Sequence, residues 1–421
     1  MNDIIIDDLA QPRLNAAQRA AIAHTDQLSV ELGSDSIIAE AEATTGLNDW
    51  GAMDFRPRLD LLCDEWGSDT GLRNLGRLSL RGKLVQHAIS RLLIRDQFKR
   101  HPEILDVDIE APIIVAGLPR SGTTHLLNLM AADRRQRSLP LWESYEPVPR
   151  PGEGLLEDGT DPRYQRCMQA WEGMQAMTPL LAAMHPMHPD HIHEELELMG
   201  PNFGSYNYEW LSPCPRWRDH YYGEDQTPQY EYMRDVLKLL TWQQRERDSG
   251  NRRRWVLKCP QHLEQLPVLR EVFPDATVAI THRDPVAVIQ SAVTMLAYGQ
   301  RMNRKRVAIQ ELLRYWTDRV EHLLRACVAD RAAWPATQSL DVPFRQLIRD
   351  DVGTVQGIYD LAGLAMTGEA RAALEAFVRE HRNDYGRVRY DLKGQFGIEP
   401  DTLRQRFDFY YDAYPSLREL G

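Results

Sequence analysis

The sequence predicts an α/β fold, a mostly parallel sheet flanked by helices, with a helical N-terminal extension and an insertion. Three observations predict it. IIVAG, Ile113 to Gly117, is a short β-branched run that leads through a glycine-containing loop into THLLNLMAA, where Leu126, Leu127 and Met130 fall on one helical face. WVLK (Trp255 to Lys258) and ATVAIT (Ala276 to Thr281) are each followed by a helical pattern, QHLEQLPVLREVF and a segment opening at Pro285. A long amphipathic stretch from about Arg304 to Ala333 then precedes TQSLDVPF, Thr337 to Phe344. Strands separated by helices argue for parallel pairing, because a parallel neighbour needs a crossover long enough to hold a helix.

The remaining elements follow from periodicity and punctuation. LNDWGAMDFRPRLDLLCDEW and LRNLGRLSLRGKLVQHAISRLLIRDQFKRHPEI carry apolar residues at helical spacing, so residues 1–105 read as a helical extension packed on the core. Residues 106–400 read as the α/β domain. The proline- and glycine-rich Pro147 to Gly154 marks a break, after which an insertion of mixed character runs over about 150–250. It holds the aromatic patch NYEWLSPCPRWRDHYYGE, read mostly as core. Residues 401–421 form a tail.

Charge and cysteine content exclude several classes. Fifty Lys and Arg against 61 Asp and Glu leave a net charge of −11, so the chain lacks the basic footprint of sequence-independent nucleic-acid binding. The five cysteines show no C-x-x-C spacing, which argues against a disulfide framework or a structural zinc site. MNDIIIDDLAQPRLN begins acidic and lacks the basic start and apolar run of a signal peptide, and no apolar run reaches the length of a membrane span. The expected location is a reducing cytoplasm.

GLPRSGTT, Gly117 to Thr124, nearly matches the phosphate loop G-x-x-x-x-G-K-[ST], but Thr123 stands where the lysine belongs and Arg120 appears earlier. Gly117 and Gly122 permit a tight turn and close approach of backbone to an anion. The N–H groups of the following helix start favour negative charge, Thr123 and Thr124 add hydroxyls, and Arg120 adds a planar permanent cation. Such a loop suits a phosphate without the lysine–magnesium pair of a nucleotide triphosphatase.

Here the sequence resembles the sulfotransferase family, and most of all its bacterial and tyrosylprotein-type branch. PRSGTT (Arg120, Ser121, Gly122, Thr123 and Thr124 within it) matches the loop that grips the 5′-phosphosulfate of the donor PAPS. HRDPVAVIQS, His282 to Ser291, places an arginine and a serine eight residues apart. In the family that pair binds the donor 3′-phosphate, so the resemblance assigns Arg283 and Ser291 there. In WVLKCPQHL, Lys258 matches a lysine that steadies charge on the transferring sulfuryl group, beside Arg120. LPLWESYEPVPRP holds the candidate for the base that takes the acceptor proton, Glu143, with Glu146 second. The resemblance runs in order from about Ile113 to Pro400. It implies metal-free, in-line transfer of a sulfuryl group from PAPS to a hydroxyl, or less readily an amine, with release of PAP. The acceptor is left open among small alcohols, phenols, lipids and sugars.

Other readings of the same residues stay open. His125, His193 and His262 are alternative bases. HPMHPDHIHEELELM invites a zinc reading, but its spacing lacks H-E-x-x-H and proline interrupts it. An ATP-dependent small-molecule kinase would need a magnesium ligand and lysine that are not in register. A non-catalytic nucleotide-binding protein would keep the loop without turnover.

Overall fold

The computed structural model describes residues 3–245, 253–381 and 387–417. Strands are β1 (Asp3–Ile5), β2 (Ile113–Gly117), β3 (Gln136–Arg137), β4 (Arg254–Cys259), β5 (Thr277–His282), β6 (Ser339–Pro343) and β7 (Arg387–Arg389). Five of them form one parallel sheet in the order β3-β4-β2-β5-β6. Central β2 is buried at every position, as a strand covered by helices on both faces must be. The two faces carry separate apolar clusters. Ile114, Ala116, Leu257 and Ile280 join the larger one, whereas Ile113, Val115, Val256 and Ala279 pack with Leu126, Leu127 and Met130 of helix Thr123–Ala131.

Among the described residues four α-helices precede the five-stranded sheet, Ala16–Thr25, Ser34–Thr45, Arg56–Ser68 and Asn74–Arg100. The last is about 40 Å long at 1.5 Å per residue, and Leu84, Val85, Ala88 and Leu92 bury its inner stripe in the larger cluster. One element was not legible in the sequence. β1 pairs in parallel with β7, so the N-terminus is stitched to a segment almost four hundred residues later. A three-residue strand leaves no periodicity to read.

The insertion is mainly helical, with Pro162–Met177 and Thr227–Gln244 its longest helices. Its aromatic patch is core: Tyr206, Tyr208, Trp217 and Tyr221 are all at most 2% exposed. The tail folds back on β5. Tyr410 Oη lies 2.7 Å from His282 Nδ1, and Tyr411 and Arg404 both reach the Asp284 carboxylate, at 2.7 and 3.2 Å.

Candidate active site

The register of the sheet explains why distant motifs meet. Val115 of β2 lies beside Lys258 of β4, and Gly117 lies beside Thr281 of β5. The loop, Lys258 and Arg283 therefore all emerge at the carboxyl end of three adjacent parallel strands, where the chain reverses direction of winding and α/β folds hold ligands.

The loop itself is tightly built. Arg120 and Gly122 both adopt left-handed backbone conformations, φ +66° and +89°. Gly122 needs its freedom, and a non-glycine in that region at position 120 is a strained exception of the kind that gathers at ligand sites. A Cβ on Gly117 would lie 1.9 Å from Thr281 Oγ1. That hydroxyl is 2.8 Å from Ser121 Oγ, which also donates to the Leu118 carbonyl at 2.6 Å. Gly117→Ala is therefore expected to displace the loop and to weaken nucleotide binding at least tenfold in calorimetric titration, with the sheet intact by circular dichroism.

Arg120 and its neighbours form one cationic basin. Arg120 Nε donates to Ser291 Oγ at 3.0 Å, and its Nη1 to the Met184 carbonyl. Arg283 Nη1 donates to the Arg120 carbonyl at 2.6 Å, and its guanidinium lies 4.1 Å from the Phe344 ring centre. Ser291 sits on helix Pro285–Asn303, whose first turn is capped by the Asp284 side chain accepting from Val286 N–H at 2.8 Å. Lys258 Nζ lies 3.3 Å from Thr124 Oγ1 and pairs with the Glu194 carboxylate. Burial pushes the Glu194 carboxyl above its usual range, against the pull of Lys258. Arg120, Ser121, Gly122, Thr123, Thr124, Lys258, Arg283 and Ser291 are thus brought together.

Glu143 is not brought into this group. Its carboxylate is buried against the Arg137 guanidinium and accepts from Gln244 Nε2 at 3.2 Å, beside Trp255 at the opposite end of β4. Glu146 is held by Arg166 at 2.8 and 2.7 Å. His125 reaches Asp351 at 3.2 Å. His262 is fully buried between Glu195, 2.6 Å away, and Tyr230, 2.9 Å away. Glu195 also accepts the Lys258 backbone N–H at 2.8 Å, which ties the end of β4 to that chain of groups. Glu194 and Glu195 had a visible signal in HPMHPDHIHEELELM, but one suggestive of metal. Among the described residues no group of three or more His, Cys, Asp or Glu side chains is arranged to hold a metal ion.

Residues 112–368 match the sulfotransferase family. The chain belongs to the sulfotransferase family. The sulfotransferase is 30% identical to sulfotransferase STF1 from Mycobacterium tuberculosis H37Rv, with 90% of this chain and 99% of that one covered and a TM-score of 0.77. The fold is also that of sulfotransferase STF9 from Mycobacterium avium, at 24% identity, 91% and 96% coverage and a TM-score of 0.79. No curated relative matches the sequence. The parallel sheet and the family together make the chain a sulfuryl-transferring enzyme. No helix among the described residues is long and apolar enough to cross a membrane.

Proposed function

We propose that this sulfotransferase moves the sulfuryl group of PAPS to an acceptor hydroxyl by in-line displacement, without a metal, and releases PAP. The observation that carries the reading is the single basin in which Arg120 meets Ser291 while Arg283 holds the Arg120 carbonyl. One basin of this kind can take both ends of a bisphosphorylated nucleotide. The N–H groups at the start of helix Thr123–Ala131, Ser121, Thr123 and Thr124 surround the 5′-phosphate. Arg283 and Ser291 take the 3′-phosphate through charge-assisted hydrogen bonds. Arg120 and Lys258 draw charge from the sulfuryl oxygens and the departing phosphate, as fixed cations do in phosphoryl transfer. The Glu194 carboxylate holds the Lys258 ammonium in place until the donor arrives. Removal of the acceptor proton falls to a group beside Lys258 rather than to Glu143, whose carboxylate Arg137 and Gln244 occupy.

Calorimetric titration with PAP, ADP and ATP plus magnesium tests the reading, since PAP and ADP share adenosine and a 5′-linked phosphate, and the second phosphate sits at the 3′ position in PAP but on the 5′ chain in ADP. PAP is expected to bind tightest, without metal. Arg283→Ala is expected to lower PAP affinity by about tenfold to a hundredfold, the worth of a contact to a charged group of about 1.5–3 kcal/mol, and to leave ADP affinity nearly unchanged. Equal affinity for PAP and ADP would remove the 3′-phosphate assignment, and tight binding of ATP only with magnesium would point to a kinase.

A further inference from the structure

We propose that His185, His191 and His193, with Tyr145, form the subsite for the acceptor's hydroxyl, that Nδ1 of His193 receives the hydroxyl proton, and that the acceptor is an uncharged alcohol or phenol. This rests on the sulfotransferase reading of the neighbouring loop and adds the acceptor side to it.

The segment is placed by backbone pairing. Pro140 and Ile192 form an antiparallel bridge, His193 N–H donates to the Leu139 carbonyl at 2.7 Å, and Leu141 N–H donates to the His191 carbonyl at 2.9 Å. In extended chain successive side chains alternate. Ile192 packs against the cluster on one face of the sheet, which leaves His191 and His193 together on the other side. Their ring centres are 6.2 Å apart, His185 lies 5.9 and 6.1 Å from them, and Tyr145 lies 6.2 Å from His193. The collar is continuous with the donor basin at both ends. His185 follows Met184, whose carbonyl accepts from Arg120, and Glu194, which follows His193, pairs with Lys258.

His193 carries the argument further. It is 6% exposed, yet its Nδ1 has no hydrogen-bond partner among the described residues. A buried ring nitrogen in that state is uncommon and calls for a reason. Its Nε2 faces Glu197 Oε1 at 3.9 Å. Glu197 is fixed from three sides: Lys83 Nζ at 3.0 Å, His87 Nε2 at 3.3 Å and Asn207 Nδ2 at 2.7 Å. At 3.9 Å the contact between His193 and Glu197 is electrostatic rather than a hydrogen bond; the carboxylate's charge favours a proton on the nitrogen facing it and leaves Nδ1 as the acceptor. Lys83 and His87 belong to helix Asn74–Arg100, so the N-terminal helices hold the back of this dyad.

Charge selects the acceptor class. Burial, with some help from the Lys258 charge, lowers His191 to about 4 and His193 to about 3, and lowers His185 well below its usual value. The groups around His193 are Glu197 and His191 on its own segment, His185, Tyr145, Lys83 from the long helix and Lys258 from β4. The two lysines are each paired, with Glu197 and Glu194. An ammonium or carboxylate on the acceptor would lose its water against neutral rings and gain no counter-charge, which is costly. An uncharged hydroxyl loses little. In the reaction its oxygen attacks sulfur, the sulfur–oxygen bond to the 5′-phosphate breaks with its electron pair going to PAP, and the proton passes to Nδ1. Glu197 then stabilises the imidazolium.

Nitrogen-15 NMR of the histidine side chains, assigned with His193→Gln, tests this on the full chain. The expected result is a His193 with its proton on Nε2, a bare Nδ1, and a shift on saturation with PAP. In transfer assays with PAPS, 4-methylphenol is expected to be used at least tenfold faster than tyramine or 4-hydroxyphenylacetate. His193→Gln is expected to keep PAP affinity within threefold and to lose transfer at least a hundredfold. A proton on Nδ1, or a His193 that ignores bound PAP, overturns the role of this residue. Transfer to a charged phenol as fast as to 4-methylphenol, or to a charged alcohol or phenol where its uncharged counterpart fails, overturns the acceptor class. Failure to bind PAP at all would instead overturn the donor reading, and this proposal with it.

Discussion

Replacing Arg319 with Met is expected to cost about 3–5 kcal/mol of stability, the usual penalty for breaking a buried ion pair from one side. Arg319 is fully buried on helix Ile309–Asp330. Its Nε donates to Glu209 at 2.7 Å, and its two Nη atoms donate to Glu264 at 2.5 and 2.6 Å, a bidentate pair. Tyr315 and Tyr221 complete the shell, donating to Glu209 and Glu264 at 2.5 and 2.9 Å. One buried cation thus serves two buried carboxylates. Burial already pushes the Glu209 carboxyl above its usual range, and Arg319 is what opposes it. Methionine would fill the volume and leave both carboxylates uncompensated. The midpoint of urea unfolding would report the loss, and Arg319→Met with Glu209→Gln and Glu264→Gln is expected to recover most of it. A loss below about 1 kcal/mol, the range of an exposed pair, would mean that the carboxylates do not depend on Arg319. Because Glu264 ends the turn Pro260–Glu264 that follows β4, this triad also anchors the strand that carries Lys258.

Replacing Lys258 with Met is expected to slow sulfuryl transfer by about a hundredfold to a thousandfold, the effect of deleting one fixed group that meets developing charge. PAP affinity should change by less than about tenfold, since PAP lacks the sulfuryl group that the proposed role assigns to this ammonium, and a group acting mainly in the transition state leaves product binding nearly untouched. Single-turnover release of PAP from PAPS, with an acceptor the native enzyme sulfates, separates the two. Lys258 is 2% exposed and is the partner of the half-buried Glu194, so the substitution also strands a carboxylate. Lys258→Met with Glu194→Gln removes both charges and is expected to fold like the native protein while staying slow. A double variant that regains native rates would show that Lys258 serves only to balance Glu194.

The strand–loop–helix order, the parallel sheet and the residues that meet around the Gly117–Thr124 loop were legible in the chain. Each is written in local pattern: β-branched runs ending in glycine, helical periodicity after them, and Arg283 set eight residues before Ser291. Strand register came only with the structure, which sets Val115 beside Lys258. What the sequence could not decide is which polar side chains meet across long separations. Glu143 and Glu194 are both carboxylates near motif residues, and only packing shows that one faces Arg137 and the other Lys258. The pairing of β1 with β7, the buried triad at Arg319 and the anchoring of Glu197 by Lys83 and His87 are of the same kind. Local periodicity records which way a residue points from its own element. The partner it finds depends on how the elements stack, and that is a property of the whole core.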